Sequence, residues 1–269
     1  MTAAEKFEEL KRILRGLAPL AVAYSGGVDS TFLLRAAVEV LGPERVLGVI
    51  GDSPSLPRSE LEEAKALADG FGAAYAVVYP QELRNPQYTA NPPDRCYHCK
   101  SALFACVREL AAARGIPHVA DGNNADDAGD WRPGRRAAAE LTVRSPLMDA
   151  GLTKADIREL SRGFGLPTAE KPAMACLASR LPYGTAVTAE TLEQVEKAEG
   201  FLRGLGFRQV RVRHHGEMAR IEIPPEGLSR LAADPVRGKV CHALRELGYR
   251  HVALDLAGYR TGSMNPEPG

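Results

Sequence analysis

The sequence has no surplus of either charge, no long apolar run and no even complement of cysteines. Lys plus Arg is 34 and Asp plus Glu is 34 in 269 residues, so the formal net charge is zero. Proteins that hold nucleic acid through a strong basic field carry an excess of positive charge. Bulk electrostatics therefore argues against DNA or RNA as a partner. No apolar run approaches the ~20 residues that span a bilayer, so no membrane association is expected. The stretch from Met1 to Arg15 is charged and amphipathic and lacks the apolar core of a signal peptide. Five cysteines is an odd number, and a chain of this length can bury a core without disulfides. A reducing, cytoplasmic setting is expected, with thiols free, metal-bound or catalytic.

What is present is ordinary for a globular protein: 45% hydrophobic and 25% charged residues. Short apolar runs alternate with helical patterns through the first two-thirds. Strands are expected at Leu20–Tyr24, Arg45–Ile50, Ala74–Val78 and from His118 to Ala120. Helices are expected at Glu5–Leu17, Thr31–Leu41, Arg58–Phe71, Cys96–Arg114 and Thr153–Phe164. Thr153 followed by Asp156 reads as an N-cap with an acidic capping box. This alternation predicts an α/β fold with a doubly wound parallel sheet, whose ligands sit beyond the carboxyl ends of the strands. The pattern changes in the Pro/Ala/Ser-rich stretch 167–183. A helix (188–205), two strands (209–214 and 219–223), a helix (235–247) and a short strand (251–254) follow. We expect domains at 1–183 and 184–269, the second α+β, with a loose tail from Thr261 to Gly269.

The strongest local signal is Ser25-Gly26-Gly27-Val28-Asp29-Ser30, between a strand and a helix. The glycines allow a tight turn and close approach of a ligand. The open N–H groups and positive dipole end of the helix favour an anion. Asp29 places a carboxylate beside that site, which suits a bridging divalent cation, Mg²⁺. No lysine follows the glycines, so the loop is not a Walker A loop. SGGVDS resembles the pyrophosphate loop of the ATP-pyrophosphatase superfamily. That resemblance implies cleavage of ATP between the α and β phosphates and a substrate activated as its adenylate.

Cys96 and Cys99 form a C-x-x-C at a helix start, where thiolates are favoured. Cys176 lies in the aperiodic segment KPAMACLASR. A redox pair, a zinc site completed by His98 or His118, and a three-cysteine iron–sulfur cluster are all open on these residues. Cys106 and Cys241 fall on apolar helix faces and read as packing. The segment DGNNADD, with Gly122 and Asp126, follows a strand at the ligand edge, with Trp131 and Arg132 beyond it. Arg211 and Arg213 alternate with valines on one strand face. Two guanidiniums side by side can clamp a phosphate. Ser179 and Arg180 could join them, with Glu199 and Glu222 orienting the arginines. The alternative is a solvated strand face. Arginines without aromatic interleaving make no RNA platform.

Together, SGGVDS, C-x-x-C-K, DGNNADDAGDWRPG and PAMACLASR-x-PYG resemble the LarE family, over about residues 5–262. The resemblance implies an ATP-dependent sulfurtransferase of nickel-pincer nucleotide cofactor biosynthesis. Its substrate would be pyridinium-3,5-biscarboxylic acid mononucleotide, whose carboxylates are adenylated and converted to thiocarboxylates. By the same resemblance Ser25 to Ser30, Gly122 and Asp126 face ATP, while Ser179, Arg180, Glu199, Arg211, Arg213 and Glu222 face the substrate. Cys96, Cys99 and Cys176 would hold a [4Fe-4S] cluster carrying the transferred sulfide, reloaded by an unidentified sulfur donor. The assembly would be a homo-oligomer, a hexamer by family likeness. The alternatives are sacrificial sulfur loss from Cys176, a tRNA thiolation enzyme, which would want a basic surface, and a non-catalytic nucleotide-binding regulator, which would not need three placed cysteines.

Overall fold

A computed structural model describes residues 1–129, 133–172 and 175–260. Trp131 and Arg132, Ala173 and Met174 of the cysteine-bearing segment, and the tail from Thr261 lie outside the described residues. The chain divides into two compact units, Met1–Tyr88 with Pro93–Met174, and Thr89–Pro92 with Ala175–Gly269. Gly184, where the pattern change sets the boundary, lies inside the second unit.

In the first unit, β1 (Leu20–Ala23), β2 (Val46–Gly51), β3 (Ala74–Val78) and β4 (His118–Ala120) form a parallel sheet in the order β3-β2-β1-β4. β1 is buried along its whole length, as an unbroken apolar strand of a parallel sheet must be. Leu20 and Val22 enter a core with residues of α1 (Ala3–Arg15), α2 (Val28–Leu41) and α3 (Arg58–Gly70). Ala21 and Ala23 face the opposite core, built with Phe104 and Val107 of α4 (Arg95–Ala113) and Ala137 of α5 (Pro133–Glu140). Helices therefore cover both faces, which is the doubly wound α/β architecture. α6 (Lys154–Gly163) starts at the capping box of Thr153 and Asp156. Phe7, Phe32 and Phe164 pack edge-on or tilted, with ring centroids 5.5–6.0 Å apart. The chain leaves β1 toward β2 and later returns to β1's other side as β4. That reversal opens a crevice at the carboxyl ends of β1 and β4.

In the second unit, β5 (Arg211–His215) and β6 (Met218–Glu222) form an antiparallel hairpin, and β7 (His251–Leu254) pairs parallel with β6. Val212 and Ile221 pack on Leu202 of α7 (Ala189–Gly204) and on Val240 and Leu244 of α8 (Val236–Glu246). Because strand side chains alternate, Arg211, Arg213 and His215 project from the face opposite this core. The hairpin strands sit one or two residues from the expected spans because Gly216, at φ +63°, fixes the turn.

Candidate active site

The phosphate loop of the first unit is built around two glycines with different duties. Gly26 adopts φ +72°, and a Cβ there would lie 2.8 Å from the Cβ of Ala64 on α3. Gly27 is the N-cap of α2 in extended conformation, with no side chain to cap the helix. The first N–H groups of α2 are thus left for an anion. Ser30 holds the loop shut. Its hydroxyl accepts from the Ser25 amide at 3.2 Å, lies 3.0 Å from the Ser25 hydroxyl and donates to the Gly27 carbonyl at 3.3 Å. Val28 is buried beneath the turn.

Asp29 lies in the first turn of α2, and one of its carboxylate oxygens accepts from Lys154 Nζ at 2.7 Å. The other oxygen, Oδ1, is buried without a hydrogen-bond partner among the described residues. An unspent carboxylate oxygen beside an anion site fits a hard, oxygen-seeking cation such as Mg²⁺. Lys154 is also held by its backbone, whose N–H donates to Asp126 at 2.8 Å. Gly122 closes the seam between the end of β4 and the first turn of α2: a Cβ there would meet the Ser30 backbone nitrogen at 2.9 Å. Next to it Asp121 is buried and accepts from Ser145, the Asn123 amide and the Asn123 side chain. Burial holds its carboxyl above the ordinary range, against the pull of Lys100. Lys171 donates to the Gly26 carbonyl at 3.3 Å and pairs with Glu60 at 2.6 Å and Glu63 at 3.0 Å.

Asp121 opens the DGNNADD segment singled out from the sequence, whereas Lys154 and Lys171 were not among the residues read there. Lys154 and Lys171 meet partners more than a hundred residues away, so local pattern carries no trace of them. The one available signal was a lysine set directly after the Thr153 cap.

Cys96 and Cys99 occupy the first turn of α4, one exposed and one half-buried. At a spacing of three residues they share a helix face, and two thiolates at a helix start suit a soft metal or cluster. All five cysteines are free thiols, and burial pushes the Cys106 thiol up, as befits packing. Among the described residues, no three His, Cys, Asp or Glu side chains form a metal-holding group.

In the second unit, Cys176 is half-buried and caps the short turn Leu177–Arg180. Arg180, expected to face substrate, is turned inward instead. Its side chain is fully buried and grips Glu199 through two bonds, at 2.8 and 3.0 Å. Its remaining donors reach the carbonyls of Ala175 and Cys176 and the Ser179 hydroxyl. Glu199 also accepts from the Val212 amide at 3.1 Å and from Arg203 at 2.7 Å. Glu222 accepts from Arg213 at 2.7 Å and from Arg220 at 3.1 Å. Arg213 donates further to the Ser179 carbonyl at 3.1 Å. Arg211 lies over the Tyr259 ring, 5.4 Å from its centroid. Burial lowers the Arg211 pKa, helped by the neighbouring charge of Arg180. Both strand arginines are only 5% exposed, so this is not a solvated face.

The NAD synthase family pattern matches residues 13–86, the segment carrying the phosphate loop. An NH(3)-dependent NAD(+) synthetase of Methanococcoides burtonii is 35% identical over 77 residues, 29% of each chain. Two relatives match nearly end to end. An uncharacterized protein of Synechocystis sp. is 44% identical over 260 residues, 97% of each chain. The pyridinium-3,5-bisthiocarboxylic acid mononucleotide synthase of Lactiplantibacillus plantarum is 38% identical over 264 residues, 98% of this chain and 95% of its own. With a phosphate loop, a cysteine-bearing turn and a buried arginine strand all inside that alignment, the chain belongs to the family of pyridinium-3,5-bisthiocarboxylic acid mononucleotide synthases, the LarE family.

Proposed function

We propose that this chain is an ATP-dependent enzyme that converts the carboxylates of pyridinium-3,5-biscarboxylic acid mononucleotide to thiocarboxylates. The observation that carries the reading is the phosphate loop with its Asp29–Lys154 pair, in a chain alike over nearly its full length to a named synthase of that product. A carboxylate oxygen of the substrate attacks the α-phosphorus of ATP. The bond to the bridging oxygen breaks, and pyrophosphate stays on the N–H groups of α2. Lys154 moves from Asp29 to the phosphates and takes up their charge, Gly122 keeps the loop seam narrow, and Asp126 fixes the Lys154 backbone. Asp29 would hold Mg²⁺, which neutralises phosphate charge when bound. A sulfur nucleophile then adds to the acyl carbon and AMP leaves.

Cys96, Cys99 and Cys176 would hold the [4Fe-4S] cluster, which supplies sulfide when loaded. The thiolate donor set fits it. Sacrificial donation from Cys176 is the second reading, and it is favoured by one observation. The Cys176 carbonyl accepts from Arg180 at 3.0 Å, which fixes the backbone that presents this thiol. In the second unit, the strand pair Arg211 and Arg213 receives the mononucleotide phosphate. The first unit serves as the ATP domain, the second as the substrate domain of a cytoplasmic homo-oligomer.

The test is AMP and pyrophosphate release with ATP, Mg²⁺ and the pyridinium substrate. Wild type forms both in equal amounts, and Asp29→Ala loses at least about a hundredfold, the scale of a misplaced reacting group. Full activity of Asp29→Ala would remove the loop from the mechanism.

A further inference from the structure

The peptide between Gly26 and Gly27 has a glycine on each side. Glycine takes φ of either sign about equally well, so no side chain of its own sets which way this peptide plane faces. Gly26 stands at φ +72°, and its carbonyl accepts from Lys171 Nζ at 3.3 Å. In a planar trans peptide the carbonyl and the following N–H point in opposite directions. A carbonyl drawn to Lys171 therefore turns the Gly27 N–H the other way. That N–H is engaged only loosely, by the Ser25 hydroxyl at 3.4 Å. It belongs to the N-cap of α2, where an anion is favoured.

Lys171 is itself held on every side. Its side chain is 10% exposed and pairs with Glu60 at 2.6 Å and Glu63 at 3.0 Å. These two carboxylates are three residues apart on α3 and share a helix face. They keep the ammonium beside the loop instead of in solvent. The same helix supplies Ala64, against which Gly26 packs. The Lys171 backbone is fixed as well. Its amide donates to the Thr168 carbonyl at 3.0 Å, and its carbonyl accepts from Arg158 at 2.9 Å. Arg158 lies four residues after Lys154 on α6, and Lys154 pairs with Asp29. One helix thus secures the loop at two points, at Asp29 directly and at Gly26 through Lys171.

We propose that Lys171 is a positioning residue for the ATP step: by holding the Gly26 carbonyl it aims the Gly27 N–H at the pyrophosphate. This rests on the reading of residues 25–30 as the pyrophosphate site. Lys171 is also the first residue of KPAMACLASR, so the segment that carries Cys176 begins on a residue tied to the ATP loop.

The experiment is titration calorimetry of the full chain with two probes, pyrophosphate with Mg²⁺ and AMP. The test variant combines Lys171→Met with Glu60→Gln. It removes one cation and one anion together, so the charge behind the loop is unchanged, and the carboxylate left behind, Glu63, is 47% exposed. The double variant should bind pyrophosphate about tenfold more weakly, the scale of one hydrogen bond to a charged group. It should bind AMP within about twofold and melt close to wild type. Glu60→Gln alone keeps the lysine on the carbonyl and should bind pyrophosphate at least as well as wild type. In wild type the Gly27 amide resonance should move on adding pyrophosphate, and in the double variant it should stay. Unchanged pyrophosphate binding in the double variant, or equal loss of pyrophosphate and AMP, overturns the inference. An unmoved Gly27 amide in wild type that binds pyrophosphate overturns it with no variant needed, and leaves the loop reading standing. If wild type binds no pyrophosphate at all, the loop reading and this inference fall together.

Discussion

Arg180 and Arg213 each donate to a buried glutamate, yet their substitution should read out differently. Arg180 is spent inside the protein on Glu199 and on the backbone of the cysteine turn. Removing it strips a carboxylate that is 0% exposed of its main cation and leaves it Arg203 and the Val212 amide. Breaking a buried pair this way costs about 3–5 kcal/mol, so Arg180→Ala should lower the melting temperature sharply. Arg213 shares Glu222 with Arg220, which stays behind to pair the acid. Arg213→Ala should therefore melt closer to wild type but bind the pyridinium nucleotide about tenfold more weakly, at ~1.4 kcal/mol per tenfold. ATP affinity should barely change. Calorimetry with each ligand, alongside thermal melts, separates the two. Equal loss of both ligands in Arg213→Ala would make that arginine a fold residue.

At the scale of elements, the helix starts were the most legible part of the chain. Thr153 and Asp156 announced α6, and the capping box is formed as read. What pattern could not announce is that Lys6 of α1 reaches the same carboxylate at 2.5 Å, because a contact spanning 150 residues leaves no periodicity. This link has a pH signature. Burial opposes the charge on Asp156, but Lys6, and then Thr153, pull its pKa down to about 2. A carboxyl whose folded pKa is depressed stabilises the fold above its unfolded value and loses that contribution as pH falls through the folded one. The contribution should vanish between about pH 4 and pH 2. Lys6→Met should flatten the stability profile in that window, as followed by denaturant melts at each pH. An unchanged profile would mean that Thr153 alone holds the carboxylate. Short elements were less legible for a similar reason. The helix Pro133–Glu140 is brief, and its apolar Ala137 and Ala138 are too small to print an amphipathic stripe.

For the whole molecule, the sheet, the loop and the arginine strand followed from local residue order, and the site's charge partners did not. Asp29 was readable from SGGVDS. Its lysine was not, since Lys154 lies 125 residues on. The pairing of Glu199 and Glu222 with the arginines was readable in the sequence, but the full burial of Arg180 on Glu199 was not, because residue order does not print depth. The proposals on cofactor and assembly are tested at this scale. Protein purified without air should be brown, with about four irons per chain if the thiols ligate one cluster. Cys96→Ala, Cys99→Ala and Cys176→Ala should each lose the absorbance, and Cys106→Ala should keep it. Normal sulfur transfer by the first two would end the cluster reading, and loss of H₂S mass from Cys176 would replace it. Sedimentation should give six chains per particle.

The strap Thr89–Pro92 belongs to the second unit although the chain on both sides of it belongs to the first. Asn91, buried and at φ +55°, donates its side-chain amide to the Pro182 carbonyl at 2.8 Å. Backbone bonds add to this, from Gly184 to Asn91 at 2.9 Å and from Val187 to Thr89 at 2.8 Å. The second unit is thus written in two separate stretches of the gene. A fragment begun at residue 175 would leave the Gly184 and Val187 amides without these partners and take the Asn91 donor from the Pro182 carbonyl. A synthetic peptide spanning residues 89–92 is the missing piece such a fragment would have to borrow.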